Sequence, residues 1–241
     1  QSEMFAAKAP RPLADRLRPE TVTDVVGQDH LLAPEAPIGR MVADGRLASM
    51  VLWGPPGCGK TTIARLLAHE TDFTFEPLSA VFSGVADLRK VFERAQARRA
   101  GGQGTLLFID EIHRFNRAQQ DGFLPYVEDG TVTLIGATTE NPSFEINAAL
   151  LSRCQVFVLN RLNEVSLEEM LGRAEGIEGR ALPVDSDARQ ALKAMADGDG
   201  RYLLNLAEEL FALKTDGMLD TARLIETVQK RAPLYDKSQE G

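Results

Sequence analysis

Apolar residues follow two patterns along the first two thirds of the chain. Short continuous runs, such as Met50–Trp53 and Thr105–Ile109, are typical of strands covered on both faces of a parallel sheet. Stretches with helical spacing separate these runs, and the alternation predicts an α/β domain with a parallel sheet. The predicted strands are Met50–Trp53, Phe73–Leu78, Thr105–Ile109, Thr131–Gly136 and Gln155–Leu159. The predicted helices between them are Ala36–Asp44, Lys60–Glu70, Val85–Ala100 and Arg117–Glu128.

The pattern changes after Leu162, where helical spacing continues without a convincing strand. Glycines and a proline divide this region into helical stretches, which indicates a small all-α domain. Its predicted helices are Glu164–Ala174, Ser186–Ala196, Tyr202–Leu213 and Asp220–Arg231. Residues 10–34 are rich in proline and polar residues, and we interpret them as an extended approach segment. The predicted domains are residues 1–34 (approach segment), 35–161 (αβα domain), 162–236 (helical domain) and 237–241 (tail).

Composition and charge narrow the classes of protein. With 44% hydrophobic and 26% charged residues, the chain has an ordinary globular composition. No apolar run approaches the ~20 residues that span a bilayer, and no signal-peptide core is present. Cys58 and Cys154 suggest no disulfide framework, so we expect a cytoplasmic protein without a membrane partner. The net charge of −8 excludes a wholly basic surface, so any DNA contact needs a local patch.

A glycine-rich loop follows the first predicted strand and opens the next helix. Its sequence, Gly54-Pro55-Pro56-Gly57-Cys58-Gly59-Lys60-Thr61, fits the phosphate-binding P-loop pattern. Glycines allow successive backbone N–H groups to turn toward one anion, and the helix amino end adds its positive dipole. Lys60 can reach the β- and γ-phosphates, and the Thr61 hydroxyl can bind Mg²⁺. The sequence therefore predicts a nucleoside triphosphate site with a magnesium ion.

Two adjacent carboxylates end the third predicted strand, about fifty residues after the P-loop. Four apolar residues precede Asp110 and Glu111, and this order fits the Walker B pattern. In open α/β sheets, ligands bind at the carboxyl ends of strands. We expect Asp110 to act on the Mg²⁺ shell and Glu111 to polarise the attacking water as a general base.

For three further polar residues, the sequence gives weaker indications of a role at the nucleotide site. Thr139 follows the fourth predicted strand, where it either faces the γ-phosphate or belongs to a capped loop. Arg153 closes a short helix and is, from the sequence alone, a surface or helix-terminal arginine. Arg201 lies in the first turn of a helix, where a cation is mildly unfavourable, so an anion such as a nucleotide phosphate would explain its position.

The ordered motifs resemble those of AAA+ ATPases over nearly all of residues 8–236. These motifs are Arg18-Pro19 with Val25-Val26-Gly27-Gln28, the P-loop, Asp110-Glu111, Thr138-Thr139, Ser152-Arg153-Cys154 and Gly198-Asp199-Gly200-Arg201. More narrowly, three runs resemble the RarA/MgsA family, whose eukaryotic relatives include the Werner-helicase-interacting protein. These runs are Phe82–Val85, Asp110–Arg117 and Gly136–Phe144. The resemblance implies an αβα P-loop domain of the AAA+ type followed by a small helical lid domain.

The resemblance also implies roles for individual residues. Thr139 would be sensor 1, Arg201 sensor 2, and Arg153 an arginine finger inserted into a neighbouring subunit's site. Ser79 would hold Glu111 inactive until DNA binds. The implied ATP-binding residues are Gly54, Pro55, Gly57, Cys58, Gly59, Lys60, Thr61 and Thr62 around the phosphates, with Arg18, Val26 and Gly27 flanking the adenine.

Family members act at stalled replication forks, so the resemblance implies a DNA-stimulated, Mg²⁺-dependent ATPase in fork maintenance and recombination-associated repair. The implied partners are single-stranded, gapped or forked DNA, further copies of the chain, and single-stranded-DNA-binding protein, all near the nucleoid. The family's C-terminal oligomerisation segment is not in this sequence, and the chain ends just after a predicted helix, so we expect a fragment whose assembly state is open. Two alternatives stay open: an ATP-gated scaffold, and a clamp-loader or Holliday-junction branch-migration subunit.

One basic helix face is a candidate DNA contact. Lys90, Arg94 and Arg98 recur every four residues and therefore share a face of their predicted helix. A solvated helix face is the equal alternative, because Glu93 interrupts the basic character. His113 has no second histidine or cysteine at ligand spacing, so no metal site is expected there.

Overall fold

The computed structural model describes residues 11–230, which divide into two compact units. The first unit is Pro19–Arg161, and the second combines residues 11–18 with residues 162–230. The predicted tail at 237–241, the first ten residues of the predicted approach segment and residues 231–236 lie outside the described residues.

A five-stranded parallel sheet forms the centre of the first unit. Its order is β2-β3-β4-β1-β5, so the strand that precedes the P-loop is separated from the Walker B strand by β4 alone. Because all strands are parallel, their carboxyl ends meet at one edge. The strands are β1 (Met50–Trp53), β2 (Thr74–Ser79), β3 (Thr105–Asp110), β4 (Thr133–Thr138) and β5 (Gln155–Val158).

Helices cover both faces of this sheet. On β3, Leu106 and Phe108 pack into one core with the P-loop helix, whereas Leu107 and Ile109 pack into a second core on the other face. This alternation confirms the predicted three-layer αβα architecture, because each strand face has its own apolar partner. The helices of this unit are α2 (Asp29–Leu32), α3 (Pro37–Asp44), α4 (Lys60–Glu70), α5 (Val85–Ala100), α6 (Arg117–Glu128), α7 (Pro142–Glu145) and α8 (Ala148–Leu151).

The second unit is helical and has its own apolar core. Leu13 is buried in that core, and its backbone N–H donates to Glu208 Oε1 at 3.0 Å. The helices are α1 (Leu13–Arg16), α9 (Glu164–Glu178), α10 (Ser186–Ala196), α11 (Gly200–Phe211) and α12 (Thr221–Gln229). The predicted fold class, a parallel α/β domain followed by a small all-α lid, is confirmed. Within residues 11–230, no helix is both long and apolar enough to cross a membrane.

Some predicted boundaries were wrong. Residues 11–34 are not extended, because α1, α2 and a 3₁₀ turn at Val22–Asp24 interrupt them. β4 begins at Thr133 rather than Thr131, because the N–H of Thr131 donates to Asp129 Oδ1 and closes the turn after α6. α9 continues four residues beyond Ala174 to Glu178, and it ends only where Gly179 adopts φ 69°.

Candidate functional site

The P-loop joins β1 to α4 through two glycines with left-handed backbone. Gly57 has φ 70° and Gly59 has φ 106°, conformations that side chains with a Cβ strongly disfavour. Within the described residues, no side chain caps the amino end of α4, which begins at Lys60. The first N–H groups of a helix have no intrahelical partner, so this end can bind an anion.

Lys60 lies across the loop. Its Nζ donates to the carbonyl oxygens of Gly54 at 2.6 Å and Pro55 at 2.7 Å. These acceptors are neutral, and an anionic phosphate oxygen would be a stronger partner for the ammonium. Thr61 and Thr62 follow in the first turn of α4, where both are partly exposed.

Gly54 and Cys58 pack closely at the base of the loop. A Cβ on Gly54 would lie 2.9 Å from Leu159 Cβ and 3.1 Å from Cys58 Sγ, so only glycine fits there. Burial raises the pKa of the Cys58 thiol, and the nearby Lys60 only partly offsets this effect. Cys58 is therefore buried in the packing at the base of the loop, and its raised pKa disfavours the reactive thiolate form.

Gln28 is a positioning residue that sequence reasoning missed. It is fully buried, its Nε2 donates to Cys58 O at 3.2 Å and Asn160 O at 2.8 Å, and its Oε1 accepts from Asn160 N at 3.0 Å. These bonds hold the segment with Val26 and Gly27 (φ 84°) against the P-loop; the adenine contact of this segment stays a prediction. The motif Val25–Gln28 was the available signal, but a polar residue in a loop gives no sign of burial.

Asp110 and Glu111 lie at the carboxyl end of β3. Asp110 Oδ1 accepts from the Glu111 N–H at 3.0 Å, and Glu111 itself has φ 51° and ψ 46°. A left-handed conformation costs a non-glycine residue about 1–2 kcal/mol and turns Glu111 out of the strand direction. Its carboxylate is partly exposed, and Arg114 Nε lies 4.0 Å from Oε2. Such strain is commonly retained at functional positions.

Thr139 follows β4, directly between the P-loop strand and the Walker B strand. Its neighbour Thr138 is 1% exposed and pairs with Trp53 of β1, while Gly136 pairs with Ile109 of β3. Thr139 is exposed at this edge. The structure therefore brings the P-loop, the carboxylate pair and Thr139 to neighbouring strand ends.

Ser79 ends β2 beside Asp110, with which it is paired in register. Within residues 11–230, no hydrogen bond joins the Ser79 side chain to Glu111. The switch role of Ser79 remains a prediction.

The three predicted arginines outside the sheet edge are exposed. Arg153 follows α8, and its Nη2 atom lies 3.5 Å from Glu128 Oε1. Arg201 is in the first turn of α11, and among the described residues it makes no ion pair. Arg18 belongs to the second unit and pairs with Asp15 at 3.1 Å.

The predicted basic face of α5 is partly neutralised. Arg94 makes a two-pronged contact with Glu76 at 2.8 and 3.0 Å, and Arg98 binds the same carboxylate at 2.7 Å. The hydrogen bond from Arg94 is the main reason that the pKa of Glu76 lies below its usual range. These two arginines tie α5 to β2, whereas Lys90 and Arg89 are exposed and have no ion-pair partner within residues 11–230.

The residues present fit a P-loop magnesium ion. Among residues 11–230, no group of three or more histidine, cysteine, aspartate or glutamate side chains could hold a metal alone. Mg²⁺ in nucleotide sites is commonly bound by one or two side chains together with phosphates and waters. The Thr61 hydroxyl and the Asp110 carboxylate supply oxygen donors of this kind.

Comparisons with known proteins show which families the chain resembles. The family described as "ATPase family associated with various cellular activities (AAA)" matches residues 50–162, and the AAA C-terminal domain family matches residues 178–241. Replication-associated recombination protein A of Coxiella burnetii is 46% identical over 95% of this chain and 54% of its own length. The protein of that name in Escherichia coli K12 is 47% identical over 85% of this chain and 47% of its own length.

More distant similarities extend the comparison. ATPase WRNIP1 of Dictyostelium discoideum is 43% identical over 85% of this chain and 24% of its own length. Among solved structures, the RuvB Holliday junction branch migration motor of Thermotoga maritima has a TM-score of 0.68 at 26% identity, covering 89% of this chain and 72% of that one. The chain spans about half the length of the bacterial relatives that it matches, 54% and 47%.

Proposed function

The chain belongs to the AAA+ ATPases, in the family of RarA, MgsA and WRNIP1, and from this premise we propose that it is a DNA-stimulated, Mg²⁺-dependent ATPase. Its use is replication-fork maintenance and recombination-associated DNA repair in the cytoplasm. The observation that carries the proposal is the meeting of the P-loop, the Asp110–Glu111 pair and Thr139 at neighbouring strand ends.

Each residue at this edge has a distinct task in hydrolysis. The P-loop amides and Lys60 bind the β- and γ-phosphates, replacing the neutral carbonyls that Lys60 now contacts. Glu111 accepts a proton from the attacking water, and Thr139 orients that water and the γ-phosphate. Mg²⁺, held by Thr61 and Asp110, supplies charge neutralisation at the phosphates when bound.

Arg153 completes the site of a neighbouring copy. It is 56% exposed, and within residues 11–230 its one ion pair, with Glu128, is long at 3.5 Å, so exchanging that partner for a phosphate has a low cost. A trans-acting arginine stabilises transition-state charge and is worth about 10³–10⁵ in rate. Arg201 reports the nucleotide state to the lid. These roles require self-association.

Replacing the general base tests the proposal. Glu111→Gln keeps the size and polarity of the side chain but cannot accept the proton, so turnover should fall by about 10²–10⁴-fold while ATP is still bound. Glu93→Gln, on the exposed side of α5, is the matched control and should hydrolyse ATP like the wild type. Wild-type protein that neither binds nor hydrolyses ATP with magnesium would contradict the proposal.

The same variant, Glu111→Gln, distinguishes a protein that couples ATP hydrolysis to its DNA activity from an ATP-gated scaffold. If Glu111→Gln still assembles on DNA and supports every DNA activity, ATP binding alone is sufficient and turnover only resets the protein. Loss of all DNA activities supports coupling to hydrolysis. The likeness to the RuvB motor favours one further candidate, a branch-migration role, which predicts stronger ATPase stimulation by four-way junctions than by forks or single strands.

DNA contact is proposed for the basic residues that have no strong partner inside the protein. Arg89 and Lys90 lie on the amino half of α5, and Arg114 and Arg117 follow the Walker B strand. Each phosphate contact that is removed should weaken DNA binding for all sequences and reduce its salt dependence.

A pair of variants on the same helix tests this surface. Arg89→Ala with Lys90→Ala should lower DNA stimulation of the ATPase and leave basal turnover unchanged. Arg94→Ala removes one positive charge from the same helix and breaks the Glu76 pair, so it should lower stability and retain DNA stimulation. The reverse result would assign the DNA contact to Arg94 rather than to Arg89 and Lys90.

A further inference from the structure

The turn after the Walker B strand is fixed to β4 by two successive residues. Ile112 lies against Gly136, where an added Cβ would come within 2.9 Å of Ile112 Cδ1. His113 Nδ1 lies 2.8 Å from Thr138 Oγ1. Gly136 and Thr138 are two positions apart on β4 and therefore face the same side of the sheet. The turn Ile112–Arg114 is thus attached to the strand that ends in Thr139.

The Thr138 hydroxyl is the centre of this attachment. It is buried, it accepts the backbone N–H of Glu140 at 3.0 Å, and Glu140 O lies 3.3 Å away. The hydrogen bond to His113 can run in either direction, since the Nδ1 atom accepts or donates according to the tautomer. In both cases the bond links the residues that flank Thr139 to the residue two positions after Glu111.

We propose that His113 is a positioning residue that couples Glu111 to Thr139 through the Thr138 hydroxyl. Glu111 is held in a left-handed conformation, and its carbonyl accepts the Arg114 N–H at 2.8 Å, so the turn and the glutamate share one backbone geometry. Releasing His113 lets this turn relax, while the backbone bond from the Gly54 N–H to Thr138 O, 3.1 Å long, still joins the P-loop to β4. The inference rests on the proposed function, because it concerns the alignment of the same attacking water.

The test compares three substitutions of His113 in steady-state ATP turnover. Asn places an amide nitrogen or oxygen at the distance of Nδ1 from the backbone, Gln carries the same amide one bond farther out, and Ala removes the partner. His113→Ala and His113→Gln should lower kcat by about 100-fold, as expected when a catalytic group is misplaced by about 1 Å, with KM for ATP unchanged. His113→Asn should restore most of the rate.

The partner is tested by a second set. Thr138→Ser keeps the hydroxyl and should retain kcat, whereas Thr138→Val is nearly isosteric and should lower it. The double variant His113→Ala with Thr138→Val should be no slower than Thr138→Val alone, because that single change already removes the bond to His113 together with the contacts to Glu140. Additive losses, or equal rates for the Asn, Gln and Ala variants, would overturn the inference.

Stability and the wild-type reaction separate this result from a failure of the proposed function. Thermal unfolding and ATP binding of each variant show whether a loss of kcat reflects unfolding. If the wild type is active and Glu111→Gln is inactive, normal kcat in His113→Ala overturns only the coupling. If the wild type itself has no ATPase activity, the proposed function fails first, and the coupling between Glu111 and Thr139 fails with it.

Discussion

The amino end of α4 differs from the amino ends of the lid helices. α4 begins after Gly59, and no side chain among the described residues caps it. Each of α9 to α12 begins after an aspartate or asparagine whose side chain accepts a backbone N–H of the first turn. These capping residues are Asn163, Asp185, Asp199 and Asp220. A cap contributes about 1 kcal/mol of stability.

The free N–H groups at a helix amino end can either be capped by a side chain or bind an anion. In α9 to α12, one free N–H group of each first turn is satisfied by a capping side chain, so these helices gain stability from the protein's own side chains. In α4 no side chain among the described residues caps this end, which lies beside Lys60 and two left-handed glycines. An uncapped amino end is stabilised when an anion binds there, because the anion accepts the free N–H groups and offsets the positive end of the helix dipole.

The largest expected effect comes from removing the cation at the uncapped end. Lys60→Ala should weaken ATP binding by about 100-fold, since it removes a charge-assisted hydrogen bond to phosphate. Isothermal titration with ATP and magnesium measures the change. Lys214→Ala, an exposed lysine of the lid unit, is the control and should bind normally. Equal affinity in the Lys60 variant would contradict the assignment of α4 as the phosphate site.

Nucleotide should stabilise the wild type by filling the uncapped end. At a free ATP concentration about 100 times Kd, binding adds about 2.7 kcal/mol, which corresponds to roughly 5–10 °C in the thermal midpoint. Differential scanning fluorimetry checks this shift. Lys60→Ala should show little of it at the same concentration, and a full shift in that variant would place the nucleotide elsewhere.

Removing a capping side chain from a lid helix should lower the stability of the protein and leave its affinity for ATP unchanged. Asp185 accepts the Ala188 N–H at 2.8 Å, so Asp185→Ala should lower the free energy of unfolding by about 1 kcal/mol. Asp185→Asn retains an acceptor and should be nearly as stable as the wild type. Urea unfolding gives the stability, and ATP titration should give unchanged affinity for both variants. Weaker ATP binding in the alanine variant alone would show that the two kinds of helix end are coupled.

The smallest effect concerns the ion pairs of the lid. Glu168 binds Arg189 and Lys193, and the hydrogen bond from Arg189 is the main cause that lowers its pKa from 4.5 to about 2. Because the pKa is depressed by folding, the contribution to stability is complete above pH 4.5 and disappears as the pH falls toward 2. The carboxylate is 45% exposed, so solvent screening keeps the effect small.

Glu168→Gln provides the comparison for this pH dependence. The stability of the wild type should fall more steeply than that of the variant between pH 4.5 and 2, as measured by urea unfolding at several pH values. Parallel curves would mean that the pair contributes nothing measurable.

Much of the secondary structure was predictable because its signals are local. The bounds of α4, α5, α6 and α10 agree with the predictions, since a strong helical period or a flanking breaker defines them. The short helices within residues 11–34 were missed, because they depend on packing against elements far along the chain. Leu13 illustrates this dependence: its N–H is bonded to Glu208, a partner that local spacing does not reveal.

In the candidate site, too, features with a local sequence signal were predictable and contacts between distant residues were not. The P-loop and the Asp110–Glu111 pair were recognisable from the sequence. Their signals, glycines at fixed spacing and an apolar run before two carboxylates, lie within a few consecutive residues. The contacts of Gln28 with Cys58 and Asn160, and of His113 with Thr138, were not recognisable, because they join residues 25 to 132 positions apart. The same reason explains why the sequence did not reveal that Arg94 and Arg98 pair with Glu76.

The sequence alone therefore determined the fold class, the phosphate-binding loop and the carboxylate pair, since glycine freedom, apolar runs and helical period act over a few residues. Only the tertiary structure decided that β4 lies between β1 and β3, which charges are paired, and which buried side chains connect the loops. Strand order and buried hydrogen bonds depend on which distant segments share a core, and no local pattern specifies that choice.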